Sequence, residues 1–404
     1  MPSEGASMRP FAWVWFFYTI AVFVVALCAW IPGGLYKDMD FRSEYSAGYL
    51  ARTDPSHLYD LSRQKQVQDS LVSKRDPAIP FGHLAYDALL YVPLSLLKYR
   101  SAYLMMLYSD AVLIILCFLA GRKEFSVTIP LWQPRPGLIF FGFMPTTIAL
   151  AQGQDSLVLL LILCLTWKLL GRSQPFAAGL VLANLLLKPH LAVIMALFVA
   201  VRAGWRFVAG FATGTAAVLA ICSPFLRHGG WRSWLSVISG LSLASGHNQA
   251  QETAMGISSW AMPNIRGALL LILGGELSSH ALFALVCLVS LALVVWGLVV
   301  VRRLSRQNAL AFSIIVTILV SYNFEPHDLV ILLLAMVVIE IGKSKALGWC
   351  RDVILGLPIA LLIFTPSTPP GAGFTLMSAP LIVGAFLLSR RAGKQGAVGA
   401  TAVA

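Results

Sequence analysis

Charge is what this chain has least of. Only 12% of its 404 residues are Asp, Glu, Lys or Arg, where soluble domains carry about 25%. That scarcity, with 58% hydrophobic residues and a mean hydropathy of +0.78, excludes an ordinary water-soluble domain and reads as an all-α polytopic membrane protein. Acidic charge is the scarcer kind, 18 residues against 30 basic ones for a net charge of +12. No nucleic-acid partner follows, because the basic residues form no interaction tail; they recur in short groups between apolar runs, as cytoplasmic loop anchors do. Cysteine is sparse too. Cys28, Cys117, Cys164, Cys222 and Cys287 lie within or at the ends of apolar runs and Cys350 in a basic loop, a pattern of neither disulfides nor a metal centre. An internal repeat, common in transporters built from duplicated halves, is also missing.

What is present is a succession of apolar runs. The first, residues 11–31, FAWVWFFYTIAVFVVALCAWI, is longer than a signal-peptide core of roughly 7 to 15 residues, so it reads as a retained anchor with the N-terminus in the cytoplasm. Placing the Lys/Arg groups inside then puts residues 32–83 outside. Residues 84–97 read as a re-entrant or interfacial segment, since counting them as a crossing would put Arg122, Lys123 and Arg172 outside. A second external segment covers residues 223–266, and the tail from 393 to 404 is expected to be disordered. One domain of about twelve crossings, spanning residues 1–404, is the expected architecture. Several runs fall short of the ~20 residues of a perpendicular span, so those helices must be tilted, paired or sunk in protein. On this path DMDFRSEY, GQD, KPH and EPHD all face outside, and they are expected to converge on one site.

Each cluster carries a functional reading beside a structural one. Asp40 precedes FRSEYSAGYL, a short helix with Phe41, Tyr45 and Tyr49 on one face and a stop at Asp54-Pro55. Asp40, Asp54 and Asp60 are then helix caps, or Asp40 is a general base; a helix start favours the ionised carboxylate that a base requires. Asp38-Met39-Asp40 spells D-x-D, a spacing able to hold a divalent cation, but no further oxygen cluster stands nearby and no metal is expected. Lys188 and His190, in LLLKPHLAV, lie between apolar helices where a buried cation needs a partner or a ligand, unless the lysine snorkels. His327 and Asp328, in EPHDL, open a helix and suit a phosphate, or pair with each other. Gln154, in AQGQDSL, is a site amide or part of a tight turn, and Trp231, Trp234 and Trp260 stack on sugars or form an aromatic belt. Together the clusters favour transfer chemistry on a lipid-linked phosphate, with a transporter or flippase of a lipid-linked sugar as the rival.

The stretches DFRSEYSAGYL and HLYD within 40–60, FGHLAYDALLYVPL at 81–94, GQDSLVLLLIL at 153–163, AAGLVLANLLLKPHLAV at 177–193 and EPHDLVILLL at 325–334, in that order, resemble glycosyltransferase family 87. Its members are integral-membrane enzymes of the GT-C type, mycobacterial mannosyltransferases among them. The resemblance implies a GT-C-like bundle with short amphipathic or re-entrant helices outside, in a bacterial inner membrane with the site facing the periplasm. It also implies a sugar, mannose first, passing from a polyprenyl-phosphate donor to a lipid or glycan acceptor, with no cofactor. Carried over by position, Asp40 would be the general base, and His327 would contact the donor phosphate or organise the acceptor. Gln154 and Lys188 would line the site, with Asp38, Tyr45, Tyr86, His190 and Asp328 as further binding candidates. Ala85-Tyr86-Asp87 before Val92-Pro93 departs from the family, which more often has a tyrosine close before the proline. A phosphate leaves without the protonation that a glycosidase must supply, so one carboxylate suffices, and in-line attack would turn a β-linked donor into an α-linked product.

Overall fold

The computed structural model describes residue 37 and residues 39–74, 78–128, 142–227, 229–243, 257–273, 276–340, 344–364 and 372–401. The apolar run of residues 11–31 lies outside them, as does Asp38. Among the described residues the secondary structure is all helical.

Three short helices come first, α1 (Phe41–Thr53), α2 (Leu61–Leu71) and α3 (Ala85–Tyr91), with α1 packed against both of the others. Of the three expected caps one forms: the Asp60 side chain accepts from the N–H groups of Ser62 and Arg63 at the start of α2. Asp54 does not cap; it pairs with His57 Nδ1 at 2.7 Å and Arg63 Nε at 3.0 Å. Asp40 makes no side-chain cap bond either, which corrects that reading. α3 and the 3-10 turn Leu94–Leu96 are too short to cross a bilayer, and they leave Leu90 and Leu96 exposed, as an interfacial segment should.

The remaining helices run α4 (Tyr99–Thr128), α5 (Met144–Gln152), α6 (Ser156–Gly171), α7 (Pro175–Ala183), α8 (Pro189–Ala203) and α9 (Trp205–Leu226). Then follow α10 (Gly230–Leu243), α11 (Ile265–Leu273), α12 (Ser279–Val301), α13 (Arg306–Val320), α14 (Leu332–Val338), α15 (Lys345–Phe364) and α16 (Ser378–Thr401). The last helix continues past Gly393, where the sequence suggested an unstructured tail.

Among the described residues 4 helices are long and apolar enough to cross a membrane: Tyr99–Gly121, Trp205–Leu226, Ser279–Val301 and Gly373–Ala392. They turn apolar side chains such as Leu288, Leu291 and Val295 outward, as a lipid-facing surface requires. Shorter apolar helices fill the interior. α13 is buried from Asn308 to Val320 and the segment Pro326–Val338 is nearly as enclosed, which explains why neither shows a polar stripe.

Because the inner helices are short, their ends stop inside the protein. Arg172, Arg202, Arg206 and Arg303 stand at one end of α6, α8, α9, α12 and α13, and Gln154, Lys188 and residues 321–328 stand at the other. Gly153 makes one of the tight returns. It ends α5 in the left-handed region at φ 64°, and a Cβ there would lie 3.0 Å from Phe41 Cβ, so the turn carries Gln154 to the start of α6 against α1.

Candidate active site

At the end of the bundle away from the arginines is a cavity of about 320 Å³. The start of α1 contributes Asp40, Ser43 and Glu44, and the loop before α3 contributes His83. Gln154 comes from the α5–α6 turn, Lys188 and His190 from the α7–α8 turn, Trp234 from α10, and Asn323, Glu325, His327 and Asp328 from the loop between α13 and α14. Asp40, Gln154, Lys188, His190, His327 and Asp328, drawn from four distant stretches, therefore share one hollow as expected.

Two expected residues do not reach it. Tyr45 packs among Phe41, Tyr91, Tyr99 and Tyr103, edge-on to Tyr99 at 5.2 Å, and its hydroxyl donates to the Leu97 carbonyl at 2.7 Å. An i, i+4 aromatic pair on a short helix met a second aromatic surface, and packing claimed it. Tyr86 donates to the backbone carbonyl of Asn184 and so ties α3 to the turn after α7. Of the tryptophans, Trp234 lines the cavity with its Nε1 donating to the Gly82 carbonyl at 3.1 Å. Trp231 is exposed under the Arg232 guanidinium, and Trp260 packs beside Leu270, Leu282 and Val286.

A continuous chain of charged groups runs along the cavity wall. Lys188 Nζ lies 2.5 Å from Asp328 Oδ1 and 3.4 Å from Asp155 Oδ1, and the Ser156 hydroxyl donates to Asp328 at 2.7 Å. With only 6% of its surface exposed, Lys188 is a paired buried cation, not a snorkelling one. On the far side of Asp155, His83 Nδ1 stands 3.8 Å from Asp155 Oδ2 and 2.8 Å from Asp87 Oδ2, while His83 Nε2 is 3.9 Å from Glu44 Oε1. His327 Nε2 closes the other end, 3.6 Å from Asp328 Oδ1.

Burial and charge bend the acid–base behaviour of these groups. Glu44 is pushed well above the usual carboxylate range, first by desolvation and in part by Asp87 and Asp155, with His83 opposing. Desolvation works against a charged His83, yet Glu44 and Asp87 overcome it and raise the imidazole to about 10. Glu325 is raised to about 8, mainly by burial and next by the charge of Asp40. Ser43 Oγ, His190 Nε2, Glu325 Oε1 and His327 Nδ1 find no hydrogen-bond partner among the described residues. Buried polar atoms of this kind are costly and mark places where a ligand completes the bonding. Chemically the hollow offers a carboxylate at a helix start, a lysine and imidazoles for an anion, and amide and indole groups for hydroxyls.

Sequence reasoning missed His83 and Asp87, and it held Glu44, Asp155 and Glu325 only as members of DMDFRSEY, GQD and EPHD, without singling them out. One signal was available: His83, just before α3, and Asp87, in its first turn, sit at i, i+4, a spacing that brings two side chains together. A family model described as Glycosyltransferase family 87 matches residues 87–324. Asp40 and His327 lie on either side of the matched stretch. No curated protein and no solved structure matches the chain.

Proposed function

The chain belongs to glycosyltransferase family 87, a family of the GT-C type, and on that premise we propose that it moves a hexose, mannose first, from a polyprenyl-phosphate donor to a lipid or glycan acceptor at the cavity beside α1. The observation that carries this reading is the convergence of Asp40, Lys188, His190, His327 and Asp328 on one hollow. In our topology of about twelve crossings that hollow faces the periplasmic side of a bacterial inner membrane, since the arginine-rich ends face the cytoplasm.

Asp40 is the single general base. It takes the proton of the acceptor hydroxyl as the oxygen forms its bond to the anomeric carbon. The bond from that carbon to the phosphate oxygen breaks, its electron pair leaves with the phosphate, and Asp40 returns the proton to solvent. His327 donates to the departing phosphate from the start of the Pro326–Ile331 turn. Lys188 acts less directly, because two carboxylates already share its charge. Attack opposite the leaving group inverts the anomeric centre.

A flippase would require polar groups along a path through both leaflets, whereas Asp40, Glu44, Asp87, Asp155, Glu325 and Asp328 gather at one end of the inner helices. The test is transfer by the purified chain in detergent, with polyprenyl-phosphate mannose and a crude lipid acceptor, read by mass spectrometry beside the glycolipids of cells with and without the gene. A glycolipid one hexose heavier, dependent on the gene, is expected. Unchanged glycolipids with no transfer would remove the donor assignment.

A further inference from the structure

Beside the cavity, α1 and α3 approach so closely that a Cβ on Gly48 would lie 2.6 Å from the Tyr91 backbone. One turn earlier on each helix, Glu44 and Asp87 are held across from each other with His83 between them. A donor atom from each of the three lies within 4.8 Å of the other two. Two donors sharing one ion at about 2.1 Å each stand no more than about 4.2 Å apart. His83 gives one ion a single nitrogen, and its two ring nitrogens face one acid each, Nε2 toward Glu44 Oε1 at 3.9 Å and Nδ1 toward Asp87 Oδ2 at 2.8 Å, so a small shift of one side chain brings the three donors onto one ion.

The acids are not there for want of a better place. Asp87 has none of its surface exposed and Glu44 only 3%, yet Asp87 Oδ1 and Glu44 Oε2 accept no hydrogen bond among the described residues, and Asp87 Oδ2 meets only the His83 imidazole at 2.8 Å. Asp155 stands next to them, so Glu44, Asp87, Asp155 and Asp328 together face three basic partners, His83, Lys188 and His327. Buried carboxyls in such excess take up protons, pair or coordinate a metal. His83 is stacked on Phe81 with ring centroids 5.6 Å apart, which fixes its plane, and Glu44 and His83 both line the cavity, which gives an ion its way in.

We propose that Glu44, His83 and Asp87 hold a divalent cation at the cavity wall, of the Mn²⁺ kind that two carboxylates and one imidazole suit. None of its three ligands belongs to the Asp38-Met39-Asp40 sequence, and it stands or falls without the donor and acceptor assigned above. An ion there presents positive charge to the hollow where one shared lysine is otherwise the strongest cation.

The experiment strips the detergent-purified full chain with a chelator and titrates it with Mn²⁺ alone, following the free-ion EPR signal and the nitrogen modulation of the bound ion. One saturable ion per chain with an imidazole coupling is expected, the coupling changing to the nitrogen-15 pattern when histidine is isotopically labelled. Glu44→Gln and Asp87→Asn should each weaken binding about 10- to 100-fold, His83→Gln should remove the coupling, and Asp40→Asn should leave binding unchanged. The proposal is overturned by absence of saturable binding up to about 1 mM, by a bound ion without imidazole coupling, or by folded variants that bind as the parent does. Folding is read from size exclusion and melting temperature, and the labelling arm needs no variant. Binding lost in Asp40→Asn alone would also overturn it, by moving the ion to the D-x-D.

Discussion

The cavity beside α1 has a counterpart at the other ends of α6, α8 and α13. That second hollow, of about 380 Å³, lies among Trp167, Leu170, Phe198, Arg202, Arg206 and Arg306, and no carboxylate lines it. Two of its three arginines are occupied with the fold. Arg202 donates to the carbonyls of Val301 at 3.1 Å and Leu304 at 2.7 Å, closing the end of α12, while Arg306 lies 4.3 Å above the Trp167 ring and donates to the Trp167 carbonyl. In the cavity beside α1 the charged groups bind other side chains, and several polar atoms are left over for something that enters. Space alone therefore says little; what separates the hollows is whether their polar groups are already satisfied.

The sharpest way to break that contrast is Asp40→Asn. Loss of the base should lower transfer by about 10²- to 10⁴-fold with the melting temperature unchanged in a purified assay. Activity within a few-fold of the parent would take Asp40 out of the reaction. Next comes a pair of substitutions, one in each hollow. Lys188→Met leaves Asp328 and Asp155 buried without their cation and should cost about 3–5 kcal/mol, whereas Arg306→Met should cost about 1 kcal/mol. Equal falls in thermal stability would show that the two charge systems do not differ as described.

His327→Ala should reduce donor use by about 10²-fold, with little effect on folding, and the donor concentration dependence would reveal it. A last contrast concerns pH. Glu325, raised to about 8 by burial and Asp40, keeps a proton in the folded chain that the unfolded chain releases near its ordinary pKa of about 4.3. Its contribution to stability is complete below the unfolded value and is lost as the pH rises towards the folded one. The melting temperature should therefore decline across that interval, and Glu325→Gln should flatten the decline; an unaltered slope would show that Glu325 is not the group responsible.

Legibility differed between elements for physical reasons. Lys188 and His190 were readable because polar residues between apolar runs have few places to go except an internal hollow. Tyr45 was misleading, since a helical face of aromatics looks the same whether it meets a sugar or, as here, Tyr99 and Tyr103. Asp40 looked like a cap by position, but capping depends on a side-chain rotamer and a backbone geometry that the sequence does not carry. The meeting of His83 and Glu44 escaped notice because it depends on how closely α1 crosses α3.

Composition alone determined that this chain is helical and apolar, because a run of nonpolar residues must bury its backbone polar groups in helices before it can leave water. The positions of the arginines determined in advance which loops would lie together at one end. Only the tertiary structure decided which acids met which bases, because ion pairing between residues more than a hundred positions apart, as Lys188 and Asp328 are, is set by how short helices end inside the bundle and not by any local pattern.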